Sequence, residues 1–235
     1  MRFTEKAKHM PLKLLKVIIA LGGRDIGAEV VIDTLWPDAD GDTGLRSLNT
    51  TLHRLRKLLG NDLAITLEDN RLTIDVRHVW VDVFAFQRLL GKIENTLKKP
   101  DLPVGQTGAK DDNLNHLMER VVAMYQGPFL RDISEQWALS FRERFKNRCL
   151  YILSEIAQRF EQSQDWQKVI QCCEKCIEID AISEESYRRL ITVYNKLGRK
   201  SEGLAVYKRC KEALNLHLSI SPSQETEAIH KSLRS

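Results

Sequence analysis

Arg46-Ser-Leu-Asn-Thr-Thr-Leu-His-Arg-Leu-Arg-Lys-Leu-Leu59, followed by Gly60, decides the reading of this chain. At 100° per residue, Leu48, Leu52, Leu55 and Leu59 fall on one stripe, the buried face of a helix. The opposite face carries Thr50, His53, Arg54 and Lys57, with Arg46 and Asn49 at its edge. No acidic residue interrupts it between Thr43 and Gly60, and Gly60 supplies a C-terminal stop. Arginine and lysine suit phosphates, and asparagine, histidine and arginine suit base edges, so a helix over 45–59 has the form of a major-groove reader. A basic amphipathic helix can equally be a solvated face, and what flanks it decides between the two.

Upstream, residues 11–21 predict a helix opened by Pro11, with Leu14, Leu15, Ile18, Ile19 and Leu21 on its core face. A turn over Gly22–Gly27 leads to a second helix ending at Leu35-Trp36, stopped by Pro37. The loop from Asp38 to Gly44 then delivers the chain to the basic helix. Downstream, Ala64-Ile-Thr-Leu67 and Arg71-Leu-Thr-Ile74 flank Glu68-Asp-Asn70, the pattern of a short β-hairpin. Two helices, a basic third helix and a hairpin are the order of a winged helix-turn-helix over residues 1–78.

From residue 79 to 235 the pattern is helical. Asp82 reads as the N-cap of a helix carrying Phe84, Phe86, Leu89, Leu90 and Ile93, and Lys98–Asn113 reads as a mobile polar loop. Helical periodicity resumes over Leu114–Tyr125, breaks at Gly127-Pro128 and returns from Ser134. Ile156, Phe160, Ile170, Cys176 and Glu178 are matched 34 residues later by Leu190, Tyr194, Leu204, Cys210 and Glu212. That is the tetratricopeptide period, in which helix pairs stack and leave a groove for a protein or effector partner. The expected fold is therefore mostly α: a winged helix-turn-helix with a short β-hairpin wing, then an all-α tetratricopeptide-like array.

Composition narrows the function further. The net charge of +4 is mild and basic and acidic residues nearly balance over residues 1–80, so nucleic-acid affinity must come from clustered charge. Five cysteines in no disulfide framework suit a reducing compartment, and no apolar run reaches transmembrane length, which together predict a cytoplasmic protein. Cys172-Cys173-x2-Cys176 fits repeat packing better than zinc, and Asp38-x-Asp40-x-Asp42 fits helix capping better than calcium. Neither metal nor cofactor is expected. With no phosphate loop, nucleophile elbow or dinucleotide fingerprint, nothing points to an enzyme. Trp36, Trp137 and Trp166 read as core anchors, and Trp80 as a wedge between the two halves.

Val31-Ile-Asp-Thr-Leu-Trp-Pro37, followed by Leu48-x3-Leu52-His-Arg-Leu-Arg-Lys-Leu-Leu-Gly60, resembles the OmpR-type winged helix of SARP-type bacterial regulators. Val81-Asp-Val-Phe84-x-Phe86 and Tyr125-x-Gly-Pro-Phe-Leu130 resemble the bacterial transcriptional activator domain that adjoins it. The resemblance implies a transcription factor, acting as an activator on double-stranded DNA, with Arg54 reaching the DNA and a wing centred on Asn70-Arg71 at the minor groove. It further implies tandem binding on direct repeats or homodimers, and contact with RNA polymerase.

From the residues themselves, Asn49, Thr50, His53 and Arg54 are expected near bases, Arg46, Arg56 and Lys57 on phosphates, and Arg71 at the wing. The rival expectation is a protein-interaction scaffold, or the terminal fragment of a larger regulator, whose winged helix no longer binds DNA. Glu68 and Asp69 on the wing motivate it.

Overall fold

Leu14, Val17 and Ile18 recur at helical spacing and are fully buried on α1 (Glu5–Ala20), the first helix of the computed structural model, which describes residues 5–98 and 107–234. The helix starts earlier than its sequence pattern predicts, so Pro11 lies inside it rather than at its opening. Gly22 and Gly23 end it with positive φ. Gly23 also has no room for a side chain, because a Cβ there would stand 2.2 Å from the Phe84 ring.

The expected turn over Gly22–Gly27 contains a strand, β1 (Ile26–Gly27), too short to leave a periodic signal. Next come α2 (Ala28–Leu35) and α3 (Gly41–Leu59), then a single 3-10 turn at Asp62–Ala64, β2 (Ile65–Glu68) and β3 (Arg71–Ile74). The strands form an antiparallel sheet in the order β1-β3-β2, so the hairpin gains a third strand. Ile65 pairs with Ile74 and Glu68 with Arg71, while β1 sets Ile26 against Leu72. Asp69 and Asn70 both take positive φ, as a two-residue primed hairpin turn requires.

The third helix begins at Gly41, four residues before the sequence pattern places it. The Asp40 carboxylate caps it, accepting from the Thr43 N–H at 2.8 Å. Gly44 belongs to the helix for a tertiary reason: a Cβ there would lie 2.5 Å from Ile32 Cγ2. The small residue lets α2 and α3 approach closely. Leu48, Leu52 and Leu55 join Leu14, Val31, Ile65 and Leu72 in one core, each at most 2% exposed.

The remaining helices are α4 (Asp82–Leu97), α5 (Thr107–Met124), α6 (Gln136–Gln162), α7 (Trp166–Ile179), α8 (Glu184–Lys196), α9 (Lys200–Leu218) and α10 (Gln224–Arg234). The expected loop Lys98–Asn113 is corrected in part: the backbone of 107–113 is the start of α5, and 99–106 lie outside the described residues. The 34-residue repeat pairs the later turns of α6 with α7, and α8 with α9. Its matched positions Ile156 and Leu190, Phe160 and Tyr194, and Cys176 and Cys210 are all buried. Helix α10 closes the array: Leu233 packs on Gly203, and the His230 ring stacks on Tyr207 at 3.7 Å.

By internal packing the chain divides into two compact units, Met1–Ala85 with Phe129–Arg144, and Phe86–Pro128 with Phe145–Ser235. The sequence-based division at 78/79 follows motifs, whereas packing adds the distant segment Phe129–Arg144 to the first unit. Trp36 and Trp137 pack on the winged-helix core as core anchors do. Trp80 is 73% exposed, so it is no buried wedge. Trp166 is half-buried, with Lys196 Nζ lying 4.8 Å from the centre of its ring.

Candidate nucleic-acid interface

Burying the leucine stripe fixes which way the rest of α3 faces. Arg46, Asn49, Thr50, His53, Arg54 and Lys57 are all exposed, and none of these side chains has a hydrogen-bond or ion-pair partner among the described residues. Arg46 runs with Thr50, His53 and Lys57 along the centre of the face rather than at its edge, and Arg54 takes a flank opposite Asn49, a correction to the expected arrangement that follows from 100° per residue. From Arg46 to Lys57 the face is about 17 Å long at 1.5 Å per residue. Its charge is polarised: Asp40 and Asp42 sit at the N-terminal end, and Arg56 and Lys57 in the last turn. Carboxylates at the start and cations at the end each complement the helix dipole.

Arg56 stands apart from this group. It is half-buried, and its Nε donates to the Ile65 carbonyl at 2.9 Å, tying α3 to the first residue of β2. Local sequence reading misses this contact because the acceptor is a backbone atom on another element.

Arg71 also has a partner the sequence does not reveal. Its Nη1 donates to the Asp25 carbonyl at 3.0 Å and lies 3.3 Å from Asp25 Oδ2. Asp25 takes positive φ, and its N–H donates to Thr73 Oγ1 at 3.0 Å. The arginine is thus held at the turn end of the hairpin, opposite Glu68, while the exposed Glu68 and Asp69 leave the turn acidic.

Beyond the winged helix, a cavity of about 420 Å³ opens among α6, α7 and α8. Tyr151, Ser154, Glu155 and Arg189 stand on its polar side, and Cys172, Cys173 and Cys176 line it as well. Arg189 is engaged by the Ser154 carbonyl and hydroxyl at 3.0 Å and by Glu161 at 3.4 Å. All five cysteines are free and buried. Burial pushes the Cys149 and Cys210 thiols up to about 12 and that of Cys176 to about 11. Among the described residues no cluster of three or more histidine, cysteine or carboxylate groups could hold a metal, and no helix is long and apolar enough to cross a membrane.

Residues 105–234 match the family described as the bacterial transcriptional activator domain. The chain is 25% identical over 219 residues to the regulatory protein AfsR of Streptomyces griseus, an alignment covering 90% of this chain and 21% of that protein. It therefore spans about a fifth of the length of that curated relative. Among solved structures it is similar to Mycobacterium tuberculosis EmbR, determined in complex with a low-affinity phosphopeptide. That likeness has a TM-score of 0.61 at 19% identity, covers 94% of this chain and 59% of the other, and speaks for the fold.

Proposed function

The chain belongs to the bacterial transcriptional activator domain family, and from that premise we propose that it is a sequence-specific DNA-binding regulator that activates transcription and reads the major groove with α3. The observation that carries the proposal is the row of six polar side chains on α3, exposed and unengaged among the described residues, on a helix that buries Leu48, Leu52 and Leu55 on its opposite face. Asn49, Thr50, His53 and Arg54 are assigned to base edges, and Arg46 and Lys57 to phosphates. Arg56 is assigned to holding α3 against β2. Arg71, already paired with Asp25, is assigned a wing contact secondary to the helix. Tandem sites on direct repeats, or a homodimer, and contact with RNA polymerase complete the reading.

Selection from random double-stranded DNA by the full chain, beside Arg54→Ala, tests it. A recovered motif that Arg54→Ala binds about 1–3 kcal/mol more weakly, with relaxed preference at one position, supports base reading by α3. Equal losses on specific and random DNA would refute it.

The cavity among α6, α7 and α8 favours a second, compatible role for the helical array in holding a protein or effector partner. If the winged helix binds no DNA, that interaction becomes the protein's main work. A stoichiometric, salt-insensitive protein complex without DNA affinity would establish it.

A further inference from the structure

Phe129–Arg144 lies far beyond the hairpin in sequence, yet it belongs to the same compact unit as the winged helix. The segment is braced internally. Arg142 donates from Nε to the Phe129 carbonyl at 2.9 Å and from Nη2 to the carbonyls of Leu130 and Ile133 at 2.5 and 2.9 Å. The rings of Phe129 and Phe141 lie 4.5 Å apart. Three carbonyls on one guanidinium fix the turn that leads into α6.

Its hold on the winged helix is of a different quality. Trp137 packs its ring on the winged-helix core, and Glu135 Oε1 lies 3.0 Å from Lys13 Nζ on α1. The ion pair is partly exposed, at 27% and 45% for its two side chains, and pairs of that kind contribute little. The Trp137 indole N–H is shielded from water and has no acceptor among the described residues. A buried donor without an acceptor carries a standing penalty, which release to water removes. The contact therefore combines an apolar gain with a built-in reason to let go.

We propose that Phe129–Arg144 is a releasable latch on the winged helix, anchored by the Trp137 ring and opening before the rest of the fold. Its consequence for function rests on the DNA-binding reading given above. The latch clasps α1, and α1 packs against α3, so the latched form is the DNA-reading form.

Amide hydrogen exchange on the full chain tests the latch without DNA, comparing α1 with α9 as an internal control. Trp137→Ala is expected to speed exchange in α1 by about tenfold or more and leave α9 unchanged. Trp137→Phe keeps a ring but has no N–H, and is expected to stay within about threefold of wild type because the lost donor made no bond. Glu135→Gln, which leaves the core intact, is expected to speed α1 by about twofold.

Unchanged α1 exchange in Trp137→Ala would overturn the latch, as would equal acceleration of α9. A Phe variant as impaired as the Ala variant would show that the N–H is a needed donor and would overturn its releasable character. Affinities of the same variants for a selected DNA site then report the functional arm: weakening that tracks α1 exchange supports it, and unchanged affinity overturns it. If wild type binds no DNA, the DNA-reading proposal and this arm fail together, while the amide comparison still decides the latch.

Discussion

Arg56 on α3 donates from Nε to the Ile65 carbonyl on β2 at 2.9 Å, so the helix proposed to read DNA and the sheet that carries the wing share a side-chain tie. Losing it leaves a part-buried carbonyl without its donor. Arg56→Ala is expected to lower stability by about 1–2 kcal/mol in urea unfolding, the lower part of the range for a charged donor because the site is half-exposed. It should weaken DNA binding without changing the salt slope, since no phosphate contact is removed. A slope reduced by about one would instead place Arg56 on a phosphate.

Lys57 is the complementary case. It is exposed, lies one residue along the same turn and has no partner among the described residues. On the proposed reading its role is charge alone. Lys57→Ala should weaken specific and random DNA alike and lower the slope of log K against log salt by about one. Titrations at several salt concentrations decide it, and a loss confined to the specific site would move Lys57 among the base readers.

The close approach of α2 to α3 depends on a missing methyl group. A Cβ at Gly44 would stand 2.5 Å from Cγ2 of Ile32, a residue only 6% exposed and with little room to yield. Gly44→Ala should therefore destabilise the fold by about 1–3 kcal/mol despite the better helix propensity of alanine. Ile32→Ala removes the clashing atom, so the double variant should lose clearly less than the sum of the single losses. Strict additivity in urea unfolding would mean the two residues do not meet.

Burial raises the thiols of Cys149 and Cys210 to about 12 and that of Cys176 to about 11, with Cys172 and Cys173 also raised. The thiolate is the nucleophile, so native protein near neutral pH should take up less than about one equivalent of iodoacetamide while denatured protein takes up all five. Rapid native modification at Cys172, Cys173 or Cys176 would show that the cavity they line opens far enough to admit the reagent.

What could be read without coordinates was whatever repeats along the chain. The leucine stripe of α3 and the 34-residue match between α6–α7 and α8–α9 are periodic, and the structure buries their apolar members except Leu59 and Leu204, which are half-buried. Two residues of β1 have no period. The early start of α3 depends on a glycine whose packing partner, Ile32, lies on another helix. Arg71 meets Asp25 across 46 residues, and Arg56 meets a carbonyl that any residue at position 65 would supply. Lys13 and Glu135 join segments with a whole hairpin and four helices, α2 to α5, between them. These are tertiary facts, and they bear on the candidate interface because two of its eight expected residues, Arg56 and Arg71, already have partners within the fold.

The end of the array is tied down by a carboxylate, and acid should loosen it. Glu184 accepts from the Ser223 N–H at 2.7 Å and from Thr226 Oγ1 at 2.5 Å, joining α8 to the start of α10. Burial alone would raise this carboxyl, but the hydrogen bonds from Ser223 and Thr226, helped by the Arg188 charge, outweigh it and hold the group below the ordinary glutamate range. A carboxyl held lower in the folded state than in the unfolded one stabilises the fold fully above its unfolded value, about 4.3. That contribution disappears as pH falls through the lowered folded value. Wild type should therefore be more stable than Glu184→Gln at neutral pH, and the gap should narrow as pH is brought from about 7 to about 3. Urea unfolding of both proteins across that range measures it, and a gap that held or widened in acid would reverse the sign of the argument.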